Sequence, residues 1–333
     1  MFNNRMTVYR NDTIRKKNMN SPVAFLFPGQ GSQIVGMGAE LAAQSPSAKA
    51  VFEQVNDAIS EDLFSIMKEG PAEILQLTRN AQPAIFASSL AVIAAIEERF
   101  GNIENHASFV AGHSLGEYSA LAASKSIEIS IAAHLLRLRG DAMQSATPVG
   151  TGAMAAILGA DINQIDELIT TLNFKKQGYV VQIANDNSPG QIVVSGHKQA
   201  VEDLCELAKQ AGIKRSLMLP VSAPFHCDLM APAADIMSEH LAESEFRTPQ
   251  LEVFCNVTAM PEGNVQQLRL NLVSQVTARV RWRETLLNLA EQGVTDFVEI
   301  GTGKVLSGLV KRTVPDVKTT SLQSFEDITA YFS

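Results

Sequence analysis

The 333-residue sequence is 46% hydrophobic and 19% charged, more apolar material than a single domain of ~150 residues needs, so one large domain with an insertion or two domains are expected. No run of ~18 apolar residues occurs, which disfavours a membrane span. The net charge of −8 repels phosphate backbones and argues against nucleic acid as the main partner, so any acidic partner must find a local basic patch.

Residues 1–20 carry five basic residues (Arg5, Arg10, Arg15, Lys16, Lys17) against the single acid Asp12, and lack the apolar stretch of a secretory signal. They read as a flexible extension, with Met19 as an alternative start and a basic presequence as the weaker reading. Three widely spaced cysteines, Cys205, Cys227 and Cys255, suit a reducing compartment better than a disulfide framework, so the cytoplasm is expected.

Val23–Phe27 is a short apolar run ending at Pro28-Gly29, the pattern of a buried strand entering a glycine loop. Helical periodicity follows, and residues 84–100, rich in Ala, Leu and Ile, stop at the helix-capping Gly101. Residues 107–111 read as a second buried strand, Gly112 begins a sharp turn, and residues 115–123 and 129–146 return to helical spacing. Between about 152 and 220 the order becomes strand (153–158), helix (162–172), strand (179–184), strand (191–195), helix (198–211), strand (215–219), the β-α-β-β-α-β order of a ferredoxin-like unit. Afterwards helices and strands alternate again, with Asp296–Ile300 as a buried strand and 304–313 as a helix. The expected fold is therefore α/β: a large α/β-hydrolase-like domain (21–149 and 220–333) with an inserted ferredoxin-like subdomain (150–219).

Gly112-His113-Ser114-Leu115-Gly116 matches G-x-S-x-G, whose flanking glycines allow a strained turn that exposes a serine oxygen at the head of a helix. The motif follows a predicted strand and opens a predicted helix, the context such a nucleophile requires. A serine hydroxyl needs a base, and of six histidines His226 is the best candidate, in the irregular stretch Ser222-Ala223-Pro224-Phe225-His226-Cys227 between a strand and a helix. His113, inside the motif, is expected to be structural. His226-Cys227-Asp228 has no metal-ligand spacing, so no metal is assigned. The loop Phe27-Pro28-Gly29-Gln30-Gly31-Ser32-Gln33 can bring a backbone N–H beside the motif to pair with that of Leu115 as an oxyanion hole. Gly29 to Gly31 fail the dinucleotide fingerprint and Gly301-Thr302-Gly303-Lys304 fails the P-loop, so no nucleotide cofactor is expected.

These segments resemble the malonyl-CoA:acyl-carrier-protein transacylase family. The resemblance is carried by the Phe27 to Gln33 loop, Gly112-His113-Ser114-Leu115-Gly116-Glu117-Tyr118-Ser119-Ala120, Arg137-Leu138-Arg139-Gly140, Gly150-Thr151-Gly152-Ala153-Met154-Ala155-Ala156, Asn187-Ser188-Pro189-Gly190-Gln191, His226-Cys227 and Gly301-Thr302-Gly303-Lys304-Val305-Leu306. It implies that Ser114 takes a malonyl group from malonyl-CoA with His226 as base, backbone N–H groups of Gln30 and Leu115 as oxyanion hole, and acyl carrier protein as acceptor, without a cofactor, in the service of fatty acid synthesis. It also implies a Ser-His dyad whose histidine is oriented by a backbone carbonyl near Arg281, a malonyl carboxylate held by Arg139, and Asn185 and Asn187 on the histidine side of the site. Leu115 after the nucleophile and Phe225 before the base resemble malonyl-selective members, and a bulky Phe225 would narrow the space for an α-methyl branch, which implies malonyl over methylmalonyl. Glu117 is read as a carboxylate favouring the positive end of its helix. Lys214, Arg215, Lys304, Lys311 and Arg312 are candidates for docking the acidic carrier protein, and the enzyme is expected to act as a monomer. A hydrolase is the first rival, disfavoured because over a hundred residues follow His226, and a non-catalytic carrier-binding module is the second.

Overall fold

The computed structural model describes residues 21–175, 178–221 and 223–333. The expected extension at 1–20 lies outside the described residues.

Strand β1 (Val23–Phe27) is buried along its whole length, and its VAFLF sequence has the unbroken apolar character of a strand covered on both faces. Four helices, α1 (Ala39–Gln44), α2 (Pro46–Ile59), α3 (Leu63–Glu69) and α4 (Ala72–Gln76), lead into α5 (Thr78–Phe100). Helix α5 is apolar on nearly every side because it is buried on nearly every side, from Thr78 to Ile96. Strand β2 (Phe109–Gly112) then pairs with β1 in parallel, with Phe27 opposite Gly112, so the chain leaves both strands at neighbouring points on the carboxyl end of the sheet. Helices α6 (Gly116–Ala123) and α7 (Ile129–Ser145) follow. Helix α7 crosses α5 so closely that a Cβ on Gly140 would stand 2.7 Å from the Arg79 Cα, and glycine at this position sets how near Arg139 comes to α5.

The chain next builds a second sheet from β3 (Gly152–Leu158), β4 (Val181–Ser188), β5 (Gln191–His197) and β6 (Arg215–Met218), with α8 (Ile162–Lys175) between the first two strands and α9 (Lys198–Gln210) before the last. This sheet is antiparallel in the order β4-β5-β3-β6 and has its own apolar core, in which Ile157, Val194, Val201 and Leu204 are fully buried. Full burial of each such side chain contributes about 1.5–3 kcal/mol.

The return to the first sheet runs through α10 (Ala231–Glu243), β7 (Glu252–Phe254), β8 (Pro261–Glu262), α11 (Val265–Thr277), α12 (Trp282–Glu291), β9 (Asp296–Ile300), α13 (Val305–Thr313), β10 (Lys318–Leu322) and α14 (Phe325–Phe332). The completed sheet has the order β10-β9-β1-β2-β7-β8 and is parallel except for its last pair. Central strands of such a sheet present their carboxyl ends to a crevice, and the loops after β1 and β2 open into one here. The second sheet is fastened beside it by Asp186, 1% exposed, whose carboxylate receives Arg283 of α12 at 2.8–3.0 Å. Among the described residues, no helix is long and apolar enough to cross a membrane, and no group of three or more His, Cys, Asp or Glu could hold a metal ion. Cys205, Cys227 and Cys255 are all free thiols.

Candidate active site

Ser114 stands on the turn between β2 and α6 in a left-handed conformation, φ 54°, which strains a residue with a side chain. The flanking glycines do not carry that strain. They supply space instead: a Cβ on Gly112 would lie 1.8 Å from the Gly116 carbonyl oxygen, and one on Gly116 would lie 2.3 Å from that of Phe27. The turn is held from outside, because the Ser114 N–H donates to Asn256 Oδ1 at 2.7 Å while Asn256 Nδ2 donates to the Gly112 carbonyl at 2.6 Å.

His226, 4% exposed and also at positive φ (59°), places Nε2 2.8 Å from Ser114 Oγ. Its Nδ1 lies 2.8 Å from the carbonyl oxygen of Gln275. A carbonyl only accepts, so Nδ1 carries the proton and Nε2 offers its lone pair to the serine hydroxyl. Burial, reinforced by the nearby Arg139 charge, lowers the His226 pKa to about 3, which keeps the imidazole neutral and able to receive a proton.

The orienting carbonyl was expected near Arg281; it is that of Gln275, six residues earlier. Gln275 lies in the last turn of α11, where carbonyls lose their helical partners, and the imidazole N–H takes the place of one. The Arg281 carbonyl is already engaged by the N–H and hydroxyl of Thr285, and its guanidinium holds Glu284 and the carbonyls of Val257 and Thr258.

Arg139 is 1% exposed, and burial lowers its pKa. One guanidinium arm donates to Gln82 Oε1 at 2.7 Å, and the other donates to Gln275 Oε1 at 2.9 Å and Ser114 Oγ at 3.2 Å. Its neighbour Arg137, two residues away on the helix, points elsewhere and pairs with Asn80 and Glu61. Ser114, His226 and Arg139 line a cavity of about 410 Å³ with Gln30, Leu115, Asn185 and Phe225. Among the described residues, the backbone N–H groups of Gln30 and Leu115 take no part in the backbone–backbone hydrogen bonds of the turns and loops. Asn187 instead bonds His113, 2.8 Å from its Nε2, and that imidazole, set edge-on to Trp282, is kept neutral by burial. A depression of about 510 Å³ beside Thr151, Tyr179 and His197 lies apart from this cluster.

The proposed docking cations do not form one patch. Lys214 and Arg215 lie at the β6 edge of the second sheet, whereas Lys304, Lys311 and Arg312 belong to α13 or its start, which packs near β4 at the opposite edge.

The acyl transferase domain model matches residues 24–325. A malonyl CoA-acyl carrier protein transacylase of Bacillus subtilis is 44% identical over 308 residues, 92% of this chain and 95% of the relative, and one of Escherichia coli is 43% identical over 299 residues, 90% and 95% of the two chains. The chain belongs to the malonyl CoA-acyl carrier protein transacylase family. Among solved structures, an acyl-carrier-protein S-malonyltransferase from Bartonella henselae is 48% identical with TM-score 0.90, over 93% of this chain and 98% of that one. A malonyl-transacylase solved in complex with a type II PKS acyl-carrier protein is 42% identical with TM-score 0.89, over 94% and 99%.

Three residues of this transacylase site carry no role in the sequence reading. Gln275 continues the buried stripe of Leu268 and Leu272 on α11, and an amide on such a stripe is the signal that could have found it. Gln82 sits in the buried length of α5, and Asn256 follows β7. Glu117 was read only as favourable at a helix start, yet it is fully buried and its Oε2 accepts from Gln275 Nε2 at 2.7 Å and the Asn256 N–H at 3.0 Å.

Proposed function

We propose that this chain transfers the malonyl group of malonyl-CoA to the phosphopantetheine thiol of acyl carrier protein through a malonyl ester on Ser114, supplying extender units for fatty acid synthesis. The observation that carries this reading is the convergence on one serine oxygen of a neutral imidazole at 2.8 Å and a buried guanidinium at 3.2 Å.

His226 Nε2 removes the serine proton as Oγ attacks the thioester carbonyl, and the imidazolium that forms is stabilised by its Nδ1–H bond to Gln275. The N–H groups of Gln30 and Leu115 receive the oxyanion. Collapse breaks the C–S bond, and the departing thiolate takes the proton from His226. The carrier-protein thiol then repeats the sequence in reverse. Arg139 meets the malonyl carboxylate with two donors, which selects malonyl over acetyl, while Asn185 and Phe225 shape the remaining wall and Asn187 acts behind it through His113. Comparable specificity constants for malonyl-CoA and methylmalonyl-CoA would contradict the role given to Phe225.

In the same reading residues 150–219 are a ferredoxin-like subdomain inserted into an α/β-hydrolase-like domain made of 21–149 and 220–333, and the enzyme works in the cytoplasm as a monomer. Peptide mass spectrometry after brief mixing with malonyl-CoA tests the chemistry: the adduct is expected on Ser114, and an adduct on another residue, or none, refutes it.

A further inference from the structure

Arg139 lines the cavity, and a single buried amide behind the lining joins its guanidinium to the buried carboxyl of Glu117. Gln275 receives Arg139 on its Oε1 and donates through its Nε2 to Glu117. The partners of Arg139 are otherwise neutral: Gln82, Ser114 and the face of Tyr118. Those of Glu117 are neutral too, and its Oε1 is buried with no hydrogen-bond partner among the described residues.

Helix α6, which carries Glu117, packs against β1, β2, α5, α7 and β7. Strands β1 and β2 contain no titratable residue, α7 presents Arg139, and the thiol of Cys255 follows β7. On α5, Arg79 is paired with Glu61 and Asp141, Glu97 with Lys125, Glu98 with Ser45, and Arg99 lies over the rings of Phe100 and Phe325. Tyr118 is held protonated by burial, and both cavity histidines are held neutral.

We propose that Glu117 is a positioning residue that acts as the counter-charge of Arg139 in the empty site, and that it takes a proton from solvent when the malonyl carboxylate docks on Arg139. The inference rests on Arg139 being the carboxylate's receptor. A second carboxylate brought to the same buried guanidinium would leave the site with net negative charge, which a low-dielectric interior resists. Protonating Glu117 removes that charge at little cost, since burial already raises its pKa to about 7. Its Oε2 still accepts from Gln275 and Asn256 in the neutral form, so the frame around Ser114 stays closed.

Acylation itself is proton-neutral. The serine O–H and the thioester C–S bond are exchanged for the ester C–O bond and a thiol S–H, with His226 carrying the proton between them. Uptake from solvent therefore reports a change of ionisation on binding.

The test mixes the full-length enzyme with malonyl-CoA in weakly buffered indicator solution and scales the proton change to the malonyl-enzyme measured by intact mass. Roughly half to one proton should be taken up per adduct at about pH 8, falling toward zero at about pH 6, where Glu117 is already protonated. Acetyl-CoA, which releases the same thiol but brings no carboxylate, should show no uptake, and Glu117→Gln should show none with malonyl-CoA. Equal uptake for the two thioesters, equal uptake for wild type and variant, or none in wild type overturns the proposal. If the variant fails to fold or acylate, the malonyl–acetyl difference in wild type and its loss at low pH decide. Adduct without proton uptake refutes this proposal alone, whereas absence of any malonyl adduct refutes the function on which it rests.

Discussion

Replacing Arg139 by alanine separates the two roles its geometry allows, holding the site together and recognising a carboxylate. The side chain is 1% exposed and its arms reach Gln82 Oε1, Gln275 Oε1 and Ser114 Oγ. In the alanine variant a malonyl carboxylate would enter a buried site with no cation and two amide oxygens turned toward it. Removing one partner of a buried ionic pair costs about 3–5 kcal/mol, so kcat/KM for malonyl-CoA should fall by roughly two to four decades. The two orphaned amide oxygens should also lower stability, by about 1–3 kcal/mol for each that stays unsatisfied. That loss affects every substrate alike, because malonyl-CoA and acetyl-CoA meet the same folded fraction. The assay is therefore the ratio of the two specificity constants, measured below the variant's Tm, and it should collapse or invert. If both substrates fall by one common factor, Arg139 supports the fold and another residue holds the carboxylate.

His226→Ala should slow single-turnover acylation by about 10²- to 10⁴-fold, the usual contribution of a positioned base, and a loss under about tenfold would mean that another group takes the serine proton. Arg281→Ala should change acylation by no more than about threefold, because the carbonyl that orients His226 belongs to Gln275; a tenfold loss would contradict this assignment. Glu117 has its pKa raised from 4.5 to about 7, so the folded chain keeps a proton that the unfolded chain releases. The stability this provides is complete below 4.5 and is lost as pH rises through about 7. Glu117→Gln, neutral throughout, should flatten the fall of Tm over that window, and an unchanged slope would show that the carboxyl is ionised there.

The elements that position the site were legible where apolar period and glycine punctuation agree. Val23–Phe27 and Asp296–Ile300 are strands with the expected bounds, and the 129–146 helix ends one residue early, at Ser145. Strand β4 extends to Ser188 where 179–184 was expected, because Asn185, Asp186, Asn187 and Ser188 are polar yet buried and so lack the signature of a covered strand. The Ser114, His226 and Arg139 cluster was visible through its motifs, whereas the orienting carbonyl was not, since every residue offers one and only the end of α11 frees this one. The glycines of the nucleophile turn were singled out as small residues that allow a strained turn, and the structure adds what their smallness permits. Their value lies in close approach, and the backbone strain falls on Ser114 itself. The docking cations were chosen by charge alone, and sheet order, which charge does not encode, separates them.

The central claim is that a malonyl-serine enzyme hands its acyl group to a thiol. Malonyl-enzyme freed of excess malonyl-CoA, then divided between buffer and buffer with holo acyl carrier protein, tests it most directly by mass spectrometry of both proteins. The account predicts an adduct that persists in buffer and moves stoichiometrically to the carrier-protein thiol; rapid loss as free malonate, with no acyl carrier thioester formed, would contradict it.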